Sequence, residues 1–275
     1  MKFTVKQGQL RTRSHLRQWL MGVMGLCLLI LGLQGCPQSG TTLLVGAASS
    51  LTDVLEAITP AFHTAHPTIA VNYNFAASGK LTQQIQQGAP LDLFISAAPH
   101  YMDQLERNDQ IHPDSRRPIT QNRLVLIVPS DRPILTQLTD LTQPEIQRIA
   151  VGDFRTVPAG QYTQAMLTTT QLLPTIQEKL VFGQNVRQVL AVVAAGNADA
   201  GIVYRSDVQA SDAVRIAFTL DPATYPEILY PAAILTTTRD RTAAATYLDF
   251  LLQPDTQRTF QRYGFMPLPG SDRPS

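Results

Sequence analysis

Short apolar runs of β character alternate with amphipathic helical runs along most of this chain, and that alternation leaves few folds open. Residues 43–47 (Leu-Leu-Val-Gly-Ala) form a buried-type strand, and residues 51–63 place Leu51, Val54, Leu55, Ile58 and Phe62 on one helical face. Residues 69–75 read as a second strand, 81–87 as a second helix and 92–96 as a third strand. Parallel neighbours need a crossover connection, and the crossover helix covers the sheet, so a βαβαβ run implies a parallel sheet with helices on both faces. The pattern resumes downstream. Residues 123–128 are a longer β run closed by Pro129, 149–151 and 200–203 are strands, and 160–173 and 186–195 are helices. Residues 228–235 read as a strand broken at Pro231, and helices at 242–252 and 256–263 close the chain. Two α/β units of about 100 residues each fit the usual domain size. No internal repeat relates them.

The first 35 residues do not belong to this pattern. Lys2, Lys6, Arg11, Arg13 and Arg17 form a basic start, and residues 19–33 are apolar and uncharged. The run is short for a membrane span and sits where a signal peptide would. It ends in Leu33-Gln34-Gly35-Cys36, which resembles a bacterial lipobox with Cys36 as the lipidated residue, so 1–35 is expected to be removed and 36–41 to tether the domain to lipid. Removal takes five of the 22 Lys and Arg and none of the 21 Asp and Glu, leaving a net charge of −4. An acidic body is a poor nucleic-acid binder. Cys27 and Cys36 are the only two cysteines, so the mature domain has no disulfide framework.

Four short segments, each with a hydroxyl or a Gly/Asn/Pro turn, stand just before a helix, and a fifth ends a strand in a tyrosine. They are Ala47-Ala48-Ser49-Ser50-Leu51, Phe75-Ala76-Ala77-Ser78-Gly79-Lys80-Leu81, Val157-Pro158-Ala159-Gly160, Gly183-Gln184-Asn185-Val186 and Gly201-Ile202-Val203-Tyr204. Helix starts leave backbone N–H groups unpaired and carry partial positive charge. Several such starts aimed at one point hold an anion without Lys or Arg. In open α/β sheets the C-terminal ends of strands are where ligands sit, so a ligand touching all five segments would lie between two lobes. Ser50 with Asp53 also resembles a capping box with Asp in place of Glu, and N-capping is the ordinary use of a serine such as Ser50 or Ser78. Lys80 reads as a solvated first-turn residue, because the phosphate-loop pattern is absent. Asp92, Asp153 and Asp207 read as turn caps, and His63 with His66 is weak evidence for zinc.

The order and spacing of further segments add a resemblance. With the segments above, Gln86-Gln-Gly-Ala-Pro-Leu-Asp-Leu-Phe-Ile-Ser-Ala97, Arg148-Ile-Ala-Val-Gly-Asp153, Val157-Pro-Ala-Gly-Gln-Tyr162, Gly201-Ile-Val-Tyr-Arg-Ser-Asp207 and Arg262-Tyr-Gly-Phe265 make the chain resemble the periplasmic molybdate-binding proteins of ABC transporters, the ModA family, from Leu43 to about Leu268. Phe154 departs from the family's usual Pro after Gly-Asp. The resemblance implies a two-lobed type II periplasmic-binding fold, each lobe a mostly parallel sheet flanked by helices. Residues 41–122 with 231–270 would form lobe 1 and 123–230 lobe 2, with hinge crossings near Asn122-Arg123 and Tyr230-Pro231. It also implies an oxyanion shell of Ser50 and Ser78 (N–H and hydroxyl), Ala159 and Val186 (N–H) and Tyr204 (phenol). Molybdenum would be present only as the bound oxyanion, with no direct protein ligand and no other cofactor. The implied partners are a membrane permease and its ATPase, the implied location is extracytoplasmic, and a monomer suits a closing mechanism.

Those residue types suit the chemistry. Molybdate near neutral pH is a tetrahedral dianion with no proton to give, so a fitting site presents donors only, as backbone N–H and rotatable Ser and Tyr hydroxyls do. Tungstate is nearly the same size and nothing in the sequence separates the two. Rival readings are the same fold carrying sulfate, phosphate, ferric iron or an organic anion held by Arg187 or Arg205, a serine enzyme, and a purely structural lipoprotein. The enzyme reading lacks Gly-x-Ser-x-Gly, and no enzyme activity is expected.

Overall fold

The computed structural model describes residues 1, 4 and 40–268. The expected signal segment and Cys36 lie outside the described residues. Among the described residues, ten strands form two five-stranded sheets. The first contains β1 (Thr41–Ala48), β2 (Ile69–Ala76), β3 (Leu93–Ile95), β4 (Arg117–Asn122) and β10 (Ile228–Ile234), in the order β2-β1-β3-β10-β4. The second contains β5 (Leu124–Pro129), β6 (Ile149–Gly152), β7 (Leu180–Gly183), β8 (Ala200–Tyr204) and β9 (Val214–Thr219), in the order β7-β6-β8-β5-β9.

The sheets share one plan. β1 pairs parallel with β2 and β3, and β6 pairs parallel with β7 and β8. One strand in each sheet runs against the rest, β10 in the first and β5 in the second. Each reversed strand is the one that enters directly from the other lobe. A single residue, Arg123, separates β4 from β5, while residues 220–227 separate β9 from β10. All of β10 pairs within the first sheet, so the chain has returned there by Ile228, ahead of the expected crossing at Tyr230-Pro231. Nor does Pro231 break the strand. The register against β4 shifts between Tyr230 and Pro231, and this bulge accommodates a residue that cannot donate to a regular ladder.

The helices bury the faces that their apolar periodicity marks. α1 (Thr52–Ala65) buries Val54, Leu55, Ile58 and Phe62, and Phe62 meets Tyr247 and Phe250 of α7 (Arg241–Leu251) edge-on at 4.9 and 5.1 Å. α2 (Ser78–Gln86) and α3 (Pro99–Arg107) complete the first layer, with α8 (Pro254–Arg262) behind them in sequence. α4 (Pro158–Thr169), α5 (Leu173–Ile176) and α6 (Val186–Ala194) belong to the second sheet's unit. Every residue of β5 is buried, as is every residue of β8, which is the burial expected of strands covered on both faces.

Candidate functional site

Four helical starts and the end of β8 meet at one small cavity between the sheets. Its volume is about 10 Å³, and it is lined by Ser50, Ser78, Ala159, Val186 and Tyr204 together with small apolar neighbours such as Ala97 and Pro158. The five residues singled out from the sequence are thus brought together. Among the described residues no charged side chain lines the cavity. Ser78 is the first residue of α2, Val186 the first of α6 and Ala159 the second of α4. At those positions a backbone N–H has no partner within its own helix. Ser50 lies in the short 3-10 turn Ser49–Leu51 that leads into α1.

Neither serine caps its helix. Ala77 is the cap residue of α2 and Leu51 that of α1, and neither helix has a side-chain cap. The capping-box reading of Ser50 and Asp53 is therefore corrected: Asp53 turns instead to the second lobe and pairs with Arg187 at 2.7 Å. Ser78 Oγ accepts from the Ala97 N–H at 3.0 Å. Because that N–H can only donate, the Ser78 proton is left for the cavity. Ser50 Oγ lies 2.9 Å from the Tyr230 hydroxyl.

Tyr204 is 1 % exposed, and its hydroxyl has no hydrogen-bond partner among the described residues. A buried hydroxyl left unpaired costs about 1–3 kcal/mol, so such a group calls for an explanation. Burial raises the phenols of Tyr204 and Tyr230 well above the ordinary tyrosine range, which keeps both protonated and able to donate.

The two lobes touch around this cavity. Gly79 N–H donates to Thr156 O at 3.1 Å, Lys80 Nζ donates to Gln184 Oε1 at 2.9 Å, and Gln161 Nε2 donates to the Tyr101 hydroxyl at 2.9 Å. Lys80 therefore bridges the lobes rather than only facing solvent. Gly79 has a steric reason to be glycine: a Cβ there would sit 2.6 Å from both Thr156 O and the Tyr101 hydroxyl. Arg187 spans from Asp53 to the fully buried Asp207, whose carboxylate is 3.1 Å from Nε. Burial pushes Asp207 up to about 7, against the pull of Arg187. Arg187 is thus committed to carboxylates, and Arg205 is exposed and donates its N–H to Arg123 O. Neither lines the cavity, which removes the observation that would have favoured an organic anion.

Asp153 caps its turn as expected, whereas Asp92 is corrected from a turn cap to a long-range tie between distant segments. Asp153 accepts from the Arg155 N–H and pairs with its guanidinium, while Asp92 accepts from the Leu44 N–H and the Thr238 hydroxyl. Ser96 is closed on Ala98 by two bonds. Phe154, the departure from the expected Pro, packs edge-on against Phe182 at 5.0 Å. Sequence reasoning missed Asn122, Ser206 and Tyr230, which form a buried network beside Ser50.

Residues 43–266 match the family described as bacterial extracellular solute-binding protein. Over 226 residues the chain is 34% identical to the molybdate-binding protein ModA of Escherichia coli strain K12, covering 80% of this chain and 87% of that protein. Over 244 residues it is 30% identical to ModA of Haemophilus influenzae, covering 86% and 95%. Among solved structures, the periplasmic molybdate-binding protein of Azotobacter vinelandii superposes with a TM-score of 0.76 at 25% identity, covering 82% of this chain and 99% of that one.

Proposed function

The chain belongs to the bacterial extracellular solute-binding proteins and, among them, to the ModA family, and from that premise we propose that it captures molybdate, and tungstate equally, for delivery to an ABC importer. It is a solute-binding protein of an ABC transporter and not an enzyme. The observation that carries the cargo is the cavity itself: small and, among the described residues, without charged lining and holding a buried phenol with no partner. The reading assigns the ligand shell to Ser50, Ser78, Ala159, Val186 and Tyr204. Seven donors (two N–H and hydroxyl pairs, two N–H groups and one phenol) at about 1.5–3 kcal/mol each give roughly 10–20 kcal/mol before ordering and desolvation are subtracted. Once those costs are subtracted, nanomolar to micromolar affinity, about −12 to −8 kcal/mol, is within reach.

An all-donor shell favours an oxyanion with no proton over hydrogen phosphate, which needs an acceptor. The longer bonds of molybdate separate it from sulfate by size in a rigid cage. An anion satisfied by both lobes favours their contact, so binding is read by the permease and its ATPase as closure. In this reading Cys36 carries the lipid that holds a monomeric binding domain at the membrane outside the cytoplasm. Calorimetric titration with molybdate, tungstate, sulfate and phosphate tests the cargo. One-to-one binding of the first two with the others silent is expected, and silence toward molybdate and tungstate refutes it. Small-angle scattering should show compaction on adding molybdate; an unchanged radius of gyration removes the closure step.

A further inference from the structure

A serine hydroxyl rotates freely between donating and accepting, so Ser50 serves an anion only if something fixes its proton toward the cavity. The surroundings of Ser50 do this, beginning at the crossing between the sheets. The Arg123 N–H can only donate, and it donates to Asn122 Oδ1 at 2.9 Å. The Asn122 amide nitrogen therefore faces the other way, toward Ser206 Oγ at 2.8 Å and the Tyr230 oxygen at 3.2 Å. Tyr230 is fully buried and accepts from Asn122. Its remaining partner is Ser50 Oγ at 2.9 Å, so its single proton goes there. Ser50 Oγ then accepts from Tyr230, and its own proton is free for the cavity that it lines. Ser206 follows β8 in the second lobe, so the amide that starts the relay is held from both lobes.

We infer that Tyr230, oriented by Asn122, is a positioning residue that fixes Ser50 as a donor to the bound anion. Ala97 does the same for Ser78 through its backbone N–H, so each serine has its acceptor side filled by the protein. The inference rests on the oxyanion reading above.

A double-mutant cycle tests it, with molybdate affinity read by calorimetry and folding by thermal melts. Y230F is expected to weaken binding about 3- to 10-fold, the value of one ordinary hydrogen bond. In an S50A background Y230F should change affinity no further. In an S78A background, which removes the hydroxyl that Ala97 rather than Tyr230 orients, Y230F should keep its full effect. N122A run through the same cycle gives a second reading that does not depend on the folding of Y230F, and it should likewise lose its effect in S50A. Equal effects of both variants with and without the Ser50 hydroxyl overturn the relay and leave the oxyanion reading standing. A wild-type protein that binds neither molybdate nor tungstate overturns that reading, and the relay with it.

Discussion

Replacing Tyr204 by Phe should make the ligand-free protein more stable and the ligand-bound protein weaker. The hydroxyl is buried and unpartnered, and deleting it recovers part of a penalty of about 1–3 kcal/mol while leaving the ring packed. A gain of about 1 kcal/mol in a domain of this size raises the melting temperature by roughly 2–4 °C. On the ligand side the variant loses one hydrogen bond to a charged group, about 1.5–3 kcal/mol, or roughly 10- to 150-fold in Kd. The two effects reverse the melting order. At molybdate 100-fold above the wild-type Kd, the wild type gains about 2.7 kcal/mol; a variant that binds about 30-fold more weakly gains under about 1 kcal/mol. Thermal melts with and without molybdate, beside calorimetric Kd values, measure all four quantities. A Y204F protein that melts lower without ligand and binds molybdate as tightly as wild type refutes the reasoning.

Gly79→Ala should act as a wedge, because its Cβ would meet Thr156 O at 2.6 Å. Overpacking of about 1–3 kcal/mol against the closed form predicts roughly 5- to 150-fold weaker binding and a larger radius of gyration with ligand, read by calorimetry and scattering. Asp207→Asn tests a pH dependence. Burial raises the Asp207 carboxyl from 3.8 to about 7, so its contribution to stability is fully present below about pH 4 and is lost as pH rises through 7. The wild type should therefore lose melting temperature relative to D207N across that window, and parallel profiles would contradict the assignment. Arg187→Met leaves Asp207 buried without its partner and should destabilise by about 3–5 kcal/mol in denaturant titrations. If Arg187 were instead a ligand residue, R187M would abolish binding at unchanged stability.

What the sequence made legible, and what it hid, follows from where signals are local. The helix starts at Ser78, Ala159 and Val186 are announced within a few residues by a strand end and a small neutral turn. The fully buried central strands β5 and β8 are unbroken or nearly unbroken apolar runs. Strands β4, β7 and β9 went unread, and all three are sheet edges. An edge strand does not need an apolar run, and Arg117-Pro-Ile-Thr-Gln-Asn carries charge and proline as edges do. α3 was missed because only Tyr101, Met102 and Leu105 are buried in a charge-rich stretch. The relay beside Ser50 could not be read at all. Asn122 and Tyr230 are 108 residues apart and meet only because β10 lies next to β4. Asp53 likewise looked like a helix cap until the second lobe placed Arg187 against it.

The position of β10 also sets the order of assembly. It is the strand between β3 and β4, and it comes from the last quarter of the chain. During synthesis from the N-terminus, β5 to β9 are all available before β10 exists, so the second sheet can complete on its own contacts. The first sheet cannot: until residues 228–234 emerge, β4 has no strand to pair with and β3 presents an open edge. Such non-local pairing is slow and leaves unpaired edges exposed to aggregation or to chaperones. A chain stalled or truncated before Ile228 should therefore hold a folded inserted lobe beside an unfinished one, and the native protein's slowest folding phase should report the arrival of β10.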